Sequence, residues 1–155
     1  MHIIIGCDHA GFDLKETCKD HLEQESHRVS DVGVFSRDSS DYPVIAHNVA
    51  NEISRGKAPF GILVCGSGLG MSMAANRHEN VRAALCHNLF SAAMSRRHND
   101  ANVLALGGRI TGVDLALAIV DTFLNTTFEG GRHTRRVRLI ELAPECRVEP
   151  RDPEP

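Results

Sequence analysis

Short apolar runs alternate with longer amphipathic segments along this 155-residue chain. The runs are rich in aliphatic residues and predict five strands, at residues 2–5, 28–34, 60–65, 81–86 and 102–106. The other segments have helical spacing of apolar positions and predict helices at residues 11–24, 43–55, 70–77, 88–97, 112–125 and 133–142. Because strands that alternate with helices form parallel sheets covered on both faces, the pattern predicts an α/β fold, a three-layer α/β/α sandwich with a five-stranded parallel sheet.

The pattern contains no internal repeat and no interdomain linker, so residues 1–142 are predicted to form a single domain. Residues 143–155 differ, since they carry four prolines and many charges. A segment of that composition buries too little apolar surface to fold, and we expect a poorly ordered tail.

Composition excludes several classes of protein. A net charge of −3, no tryptophan and a single tyrosine give no basis for binding nucleic acid. No apolar run approaches the ~18 residues of a membrane span, and the first residues predict a strand rather than a signal peptide. Five cysteines without a C-x-x-C pair argue against a disulfide framework or a zinc site, so no metal is expected. We expect a reduced, cytoplasmic protein.

The most informative segment is GILVCGSGLGM, residues 61–71. Cys65 ends a predicted strand and opens a loop with glycine at 66, 68 and 70, and a predicted helix follows. Such a loop lets backbone N–H groups converge on an anion or a developing oxyanion. The same donors can stabilise a thiolate, so the cysteine predicts proton-transfer or nucleophilic chemistry. The alternative is a buried cysteine followed by a tight turn.

Known phosphate-binding loops do not match this segment. Met71 stands where a dinucleotide fingerprint needs its third glycine, and the Gly-Lys-Ser/Thr of a Walker A loop is missing. Met71 also stands where a cysteine-dependent phosphatase loop would, by resemblance, carry an arginine. What remains is a loop suited to an enolate-like oxygen, with the Ser67 hydroxyl as an extra donor.

Polar side chains at other element ends extend the candidate site. Asp8 and His9 follow the first strand and could orient sugar hydroxyls or bind phosphate, although Asp8 could equally cap the next helix. His98 and Asn99 are predicted to lie in a polar loop after a basic helix end. A histidine there can exchange a proton at neutral pH, but the basic residues could also simply complement the helix dipole.

Arginines form the last candidate group. Arg132 and Arg136 are four residues apart at the start of the final predicted helix and therefore share one face. Cations in a first turn oppose the helix dipole at a cost of about 0.3–1 kcal/mol each, and a bound phosphate would relieve that conflict. The alternative is a solvated basic face. Arg109, after two glycines at the end of the fifth strand, is a further possible anion ligand.

Five segments taken together resemble one family. They are GCDHAGF (6–12), DYP (41–43), CGSGLGMSMAANR (65–77), SRRHNDANVLALGGR (95–109) and EGGRHTRRV (129–137). The set resembles the ribose-5-phosphate isomerase B family, which includes isomerases for allose 6-phosphate and galactose 6-phosphate. The resemblance spans residues 2–142 and implies a Rossmann-like fold and a cofactor-free aldose–ketose isomerase acting on a sugar phosphate. It also implies a homodimer, or a pair of dimers, with each active site built from two chains.

The resemblance assigns a role to each candidate. It makes Cys65 the base that moves a proton between C1 and C2, and His98 the acid/base that opens the furanose ring. The enediolate oxygens would be held by the loop residues Gly66, Gly68, Leu69 and Gly70, with Ser67 assisting where many relatives have threonine. The other candidates would bind substrate: Asp8 and Tyr42 the sugar, His9, Arg132 and Arg136 the phosphate, with Asn99 and Arg109 completing the site from the neighbouring chain.

The leading hypothesis is therefore an isomerase that interconverts D-ribose 5-phosphate and D-ribulose 5-phosphate through an enediolate. Two alternatives stay open at this point. One is an isomerase of a six-carbon aldose 6-phosphate of the allose or galactose type. The other is a non-catalytic, flavodoxin-like module that binds a phosphorylated ligand, because fold does not determine function.

Overall fold

Strands and helices alternate through residues 1–141, the part of the chain that the computed structural model describes. The strands are β1 (His2–Cys7), β2 (Arg28–Asp31), β3 (Phe60–Cys65), β4 (Ala83–Leu85) and β5 (Val103–Gly107). The helices are α1 (Phe12–Gln24), α2 (Tyr42–Ser54), α3 (Leu69–Ala75), α4 (Leu89–Asn99), α5 (Val113–Asn125) and α6 (Arg132–Glu141), and a short 3₁₀ helix (His9–Gly11) precedes α1. The predicted tail, residues 143–155, lies outside the described residues.

The five strands form one sheet in the order β2-β1-β3-β5-β4, and every neighbouring pair is parallel. All strands therefore end at the same edge of the sheet, here called the carboxyl edge, and begin at the opposite, amino edge. Each helix that connects two parallel strands starts at the carboxyl edge and returns the chain to the amino edge. The predicted α/β fold with a five-stranded parallel sheet is confirmed.

Side chains of the central strands alternate between two apolar layers. Ile62 and Val64 of β3 pack with α1, α4 and α5 on one face, whereas Leu63 and Cys65 pack with α2 and α3 on the other. The first layer includes Phe123 of α5, which is fully buried. Each fully buried large aliphatic or aromatic side chain stabilises the fold by roughly 1.5–3 kcal/mol, and this two-sided burial holds the strand ends, and thus the loops that follow them, in place.

The second strand is shorter than predicted. Regular pairing ends at Asp31, because Gly33 adopts a positive φ of 98° that an extended strand does not allow. The following residues nevertheless stay beside β1, since the Cys7 N–H donates to the Gly33 carbonyl at 2.7 Å and the Val34 N–H donates to the Cys7 carbonyl at 2.9 Å. The apolar pattern therefore predicted that this segment lies beside β1, but it did not predict that regular strand pairing stops at Asp31.

The fourth helix is longer than predicted, and this corrects the placement of two site residues. His98 and Asn99 belong to the last turn of α4, not to a loop. The helix ends at Asn99, because the next residue, Asp100, takes the left-handed conformation at φ 47°, and the Asp100 carboxylate accepts a hydrogen bond from Arg96 at 2.8 Å. Within residues 1–141, no helix combines the length and apolar character needed to cross a bilayer.

Candidate active site

A pocket of about 480 Å³ opens at the carboxyl edge of the sheet. It brings together eight of the predicted site residues: Asp8, His9, Tyr42, Cys65, Gly66, Ser67, Gly70 and Arg109. Ala10 and Ile110 complete its lining and were not predicted, because an alanine and an isoleucine carry no chemical signal in the sequence. Gly68 and Leu69 lie in the same loop but do not line the pocket.

The Cys65 thiol lies at the end of β3, facing the α2 and α3 layer. It is only 5 % exposed, yet it lines the pocket. The Gly68 N–H donates to the Cys65 Sγ at 3.1 Å, and glycine suits this position because its φ is +78°. The Leu69 N–H donates to the Ser67 Oγ at 3.4 Å. One backbone N–H therefore contacts the sulfur and another contacts the neighbouring hydroxyl, while convergence of the loop N–H groups on a substrate anion stays a prediction.

Close packing holds this loop against its neighbours. A side chain at Gly70 would collide with the ring of Tyr42, which starts α2. The Gly108 N–H donates to the Cys65 carbonyl at 2.7 Å, and the Arg109 N–H donates to the Gly66 carbonyl at 3.1 Å. These bonds join the loops after β3 and β5 and place Arg109 in the pocket of the same chain. The expectation that Arg109 comes from a neighbouring chain is wrong for that reason.

Asp8 and His9 are fixed by hydrogen bonds at the start of the 3₁₀ helix. The Asp8 Oδ1 accepts the N–H groups of Ala10 at 2.9 Å and Gly11 at 3.0 Å, so the capping interpretation is correct and does not exclude the pocket role. The His9 Nδ1 accepts the Ser40 N–H at 3.3 Å, and the Ser40 Oγ accepts the His9 N–H at 3.2 Å. In its neutral form the ring therefore carries its proton on Nε2, a donor suited to phosphate.

The other described cysteines lie in different surroundings. Burial raises the pKa of Cys7 and of Cys18 to about 12, and it also raises the pKa of Cys86. These three are inert core thiols at neutral pH. Among the cysteines within residues 1–141, Cys65 is the one that lines the pocket.

Besides Gly68 and Leu69, four predicted site residues do not line this pocket: His98, Asn99, Arg132 and Arg136. They lie toward the amino edge. The Asn99 carbonyl accepts a hydrogen bond from Arg82, which immediately precedes β4, at 3.1 Å. The Arg96 guanidinium lies 4.8 Å from the ring of Phe60, the first residue of β3. The six residues of β3 span about 17 Å, so His98 and Cys65 of one chain cannot act on the same sugar carbons.

His98 instead belongs to a cluster of its own chain. Its ring stacks on that of His133, with 4.3 Å between centroids and 5° between planes. The Glu129 Oε2 lies 3.8 Å from the His98 Nε2 and 3.7 Å from the His133 Nε2. Glu129 and His133 fall within a segment that the sequence singled out for its arginines alone, and no local pattern marked these two.

The same three side chains offer ligand atoms within 4.8 Å of one another. A metal ion bound by two imidazoles lies close to the plane of both rings, which two stacked parallel rings do not permit. The guanidinium of Arg132, 3.3 Å from the His133 Nε2, adds a positive charge. The cluster is therefore better described as a histidine pair with a shared carboxylate.

Sequence comparison relates this chain to known sugar-phosphate isomerases. The family described as Ribose/Galactose Isomerase matches residues 3–140. Ribose-5-phosphate isomerase B of Escherichia coli (strain K12) is 46% identical over 138 residues, 89% of this chain and 93% of that protein. D-erythrulose-4-phosphate isomerase of Pectobacterium atrosepticum is 41% identical over 144 residues, covering 90% of this chain and 93% of that one.

Solved structures agree with the sequence comparison. The structure of Clostridium thermocellum ribose-5-phosphate isomerase B superposes with a TM-score of 0.90 and 49% sequence identity, covering 91% of this chain and 95% of that chain. The matched region includes the pocket and the histidine cluster. The chain therefore belongs to the ribose/galactose isomerase family.

Proposed function

We propose that this chain interconverts D-ribose 5-phosphate and D-ribulose 5-phosphate, with Cys65 as the base. The observation that carries the proposal is the Cys65 thiol in a pocket at the carboxyl edge, with a backbone N–H at 3.1 Å from its sulfur. The names of the Escherichia coli and Clostridium thermocellum relatives support the choice of a five-carbon substrate. A cytoplasmic location belongs to the same proposal, since the four described cysteines are free thiols.

The proposed chemistry is a proton transfer between adjacent carbons. The Cys65 thiolate removes the C2 proton of the open-chain aldose, and negative charge develops on the carbonyl oxygen at C1. A proton then passes from the C2 hydroxyl to the C1 oxygen, the carbonyl forms at C2, and the Cys65 thiol returns its proton to C1. Preorganised donors aimed at the developing charge supply the largest stabilisation of such a step. The Gly66–Gly70 loop and the Ser67 hydroxyl are those donors in this proposal, and Asp8 and Tyr42 hold the sugar hydroxyls.

The proposal requires a second copy of the chain. Ribose 5-phosphate exists largely as a closed ring, and the proposed ring-opening residue, His98, lies about one strand length from Cys65 within one chain. A homodimer in which the amino edge of one copy meets the carboxyl edge of the other would combine them. His98, Asn99, Arg132 and Arg136 would then enter the partner's pocket, and this assembly, alone or as a pair of dimers, is part of the proposal.

Exposed apolar side chains support a partner surface at this edge. Tyr42, Leu69, Phe90 and Ile110 lie at helix starts or just after a strand at the carboxyl edge, and they are 42–74% exposed. Exposed apolar side chains grouped at one edge of a molecule are typical of a protein–protein interface, and two of these four, Tyr42 and Ile110, line the pocket itself. Phosphate would be bound by His9 and Arg109 of one copy and by the α6 arginines of the other, whose planar guanidiniums suit that anion.

The direct test is isomerisation of ribose 5-phosphate by the purified protein in the presence of EDTA, followed as ketose formation. Exchange of solvent deuterium into C2 of the sugar tests the enediolate route. Rates on allose 6-phosphate, galactose 6-phosphate and erythrose 4-phosphate, measured in parallel, test the five-carbon preference. The proposal fails if ribose 5-phosphate is neither isomerised nor labelled, or if a six-carbon phosphate has the higher kcat/KM.

A further inference from the structure

The segment before α6 folds back onto the end of α4 and fixes one carboxylate there. The Glu129 N–H donates to the Arg97 carbonyl at 3.0 Å. The Glu129 Oε1 also pairs with the Arg97 Nε at 2.6 Å. Gly130 and Gly131, both at positive φ, then turn the chain into α6. Glu129 is therefore held by its backbone and its side chain at once, although 36% of the side chain is exposed.

The second carboxylate oxygen faces two imidazoles. The Glu129 Oε2 lies within 3.8 Å of the Nε2 atoms of His98 and His133, whose rings are stacked. The single negative charge of Glu129 thus lies beside two imidazoles, each of which can become a cation. Two stacked imidazolium rings would repel each other, so the carboxylate favours a proton on one ring at a time.

The surroundings decide which ring is charged. His133 is buried, and its Nε2 accepts the Arg132 Nε–H at 3.3 Å, which occupies the lone pair that a second proton would need. Burial, together with the charges of His98, Arg132 and Arg136, lowers the pKa of His133. The charged groups around the pair are Arg97 on α4, Glu129 in the connecting segment, and Arg132 and Arg136 on α6. The lowered pKa of His133 favours its neutral form, and His98 is the more exposed ring beside the carboxylate.

We propose that Glu129 is a positioning residue for ring opening, which holds the His98 ring against that of His133 with the His98 Nε2 beside the carboxylate. This rests on the proposed function, because it takes His98 as the ring-opening group. In that step the bond between C1 and the ring oxygen breaks, the His98 imidazolium gives its proton to the ring oxygen, and the C1 hydroxyl gives its proton to water. Solvent then reprotonates His98. Glu129 touches neither the substrate nor the reacting atoms.

The test is a double-mutant cycle on ribose 5-phosphate with Glu129→Gln and His98→Asn. In Glu129→Gln, kcat falls about tenfold, a part of the 10²–10⁴ that general acid–base catalysis supplies, while KM stays within twofold because the phosphate ligands are unchanged. In the His98→Asn background, Glu129→Gln causes no further loss, because a residue that acts through another adds nothing once that other is gone.

A matched control distinguishes the proposed positioning of His98 by Glu129 from the simple loss of a surface ion pair. Glu52 on α2 also pairs with a cation, Lys57 at 3.3 Å, and its side chain is 31% exposed. Glu52→Gln is expected to leave kcat and KM unchanged, and thermal unfolding checks that every variant is folded. A merely structural role for Glu129 predicts the same loss in both backgrounds, and that result, or a wild-type kcat in Glu129→Gln, overturns the inference. A wild-type protein without isomerase activity would instead overturn the proposed function.

Discussion

The two edges of the sheet carry different kinds of chemistry. At the carboxyl edge the donors are largely backbone amides in glycine-rich loops, arranged around one nearly buried thiol. At the amino edge the groups are side chains, namely a histidine pair, a carboxylate and several exposed arginines. The first arrangement suits the stabilisation of charge that develops on a substrate oxygen, and the second suits proton exchange and phosphate binding. Neither arrangement by itself carries both the base and the ring-opening group of the proposed isomerase, which is why the proposed function requires two chains at one site.

The largest expected effect is at the carboxyl edge. Cys65→Ala removes the proposed base and should lower kcat on ribose 5-phosphate by about 10³-fold, within the range of general base catalysis. Cys7→Ala is the matched control, because Cys7 ends the neighbouring strand and faces the opposite, apolar layer. It should keep kcat within twofold and lower the free energy of unfolding by about 1 kcal/mol. Equal activities of the two variants in a ketose assay would contradict the assignment of the base.

The second largest loss of activity is expected from a change at the amino edge. His98→Asn should lower kcat on ribose 5-phosphate by about 10²-fold through loss of acid–base catalysis. It should leave turnover of D-erythrose 4-phosphate within twofold, because the C4 oxygen of that aldose is phosphorylated and cannot close a five-membered ring. Steady-state kinetics on both substrates measure the split. An equal loss on the two substrates would mean that His98 serves the proton transfer rather than ring opening.

Mixing the two impaired variants tests whether the carboxyl edge of one chain and the amino edge of another form one site. When Cys65→Ala and His98→Asn chains are unfolded and refolded together, half of the dimers are mixed, and each mixed dimer has one site free of both changes. Activity should therefore return to about one quarter of wild type, roughly 25-fold above that of the better variant alone. Refolded single variants are the control. If the mixture stays at the average of its components, each site lies within one chain.

A smaller effect is expected for the phosphate contacts. Arg136→Ala removes a charge-assisted hydrogen bond worth about 1.5–3 kcal/mol, so KM for ribose 5-phosphate should rise at least tenfold. Arg135→Ala is the control, because this neighbouring exposed arginine of α6 projects in a different direction. Initial rates over a range of substrate concentration measure the change. A fall in kcat alone, with KM unchanged, would remove Arg136 from the phosphate site.

Much of the fold was predictable because its signals are local. Alternating strand and helix patterns predicted the parallel sheet, and the apolar run before Cys65 predicted that this residue ends a strand. The errors occurred where one residue changes the backbone direction. Gly33 ends the regular pairing of β2, and the left-handed Asp100 ends α4 at Asn99, two residues later than the helix pattern suggested. Neither residue type commits the backbone by itself, since glycine and aspartate adopt several conformations.

The sequence by itself determined the order of the elements, the thiol at a strand end and the glycine loop beside it, because these depend on neighbours within a few residues. Only the tertiary structure decided which distant residues meet. It placed Arg109 in the Cys65 pocket, His98 at the opposite edge, and Glu129 and His133 against His98 across about 30 residues of chain. Such long-range contacts follow from parallel strand pairing and helix packing. These depend on burial between distant segments, so they leave no periodic signal in the chain.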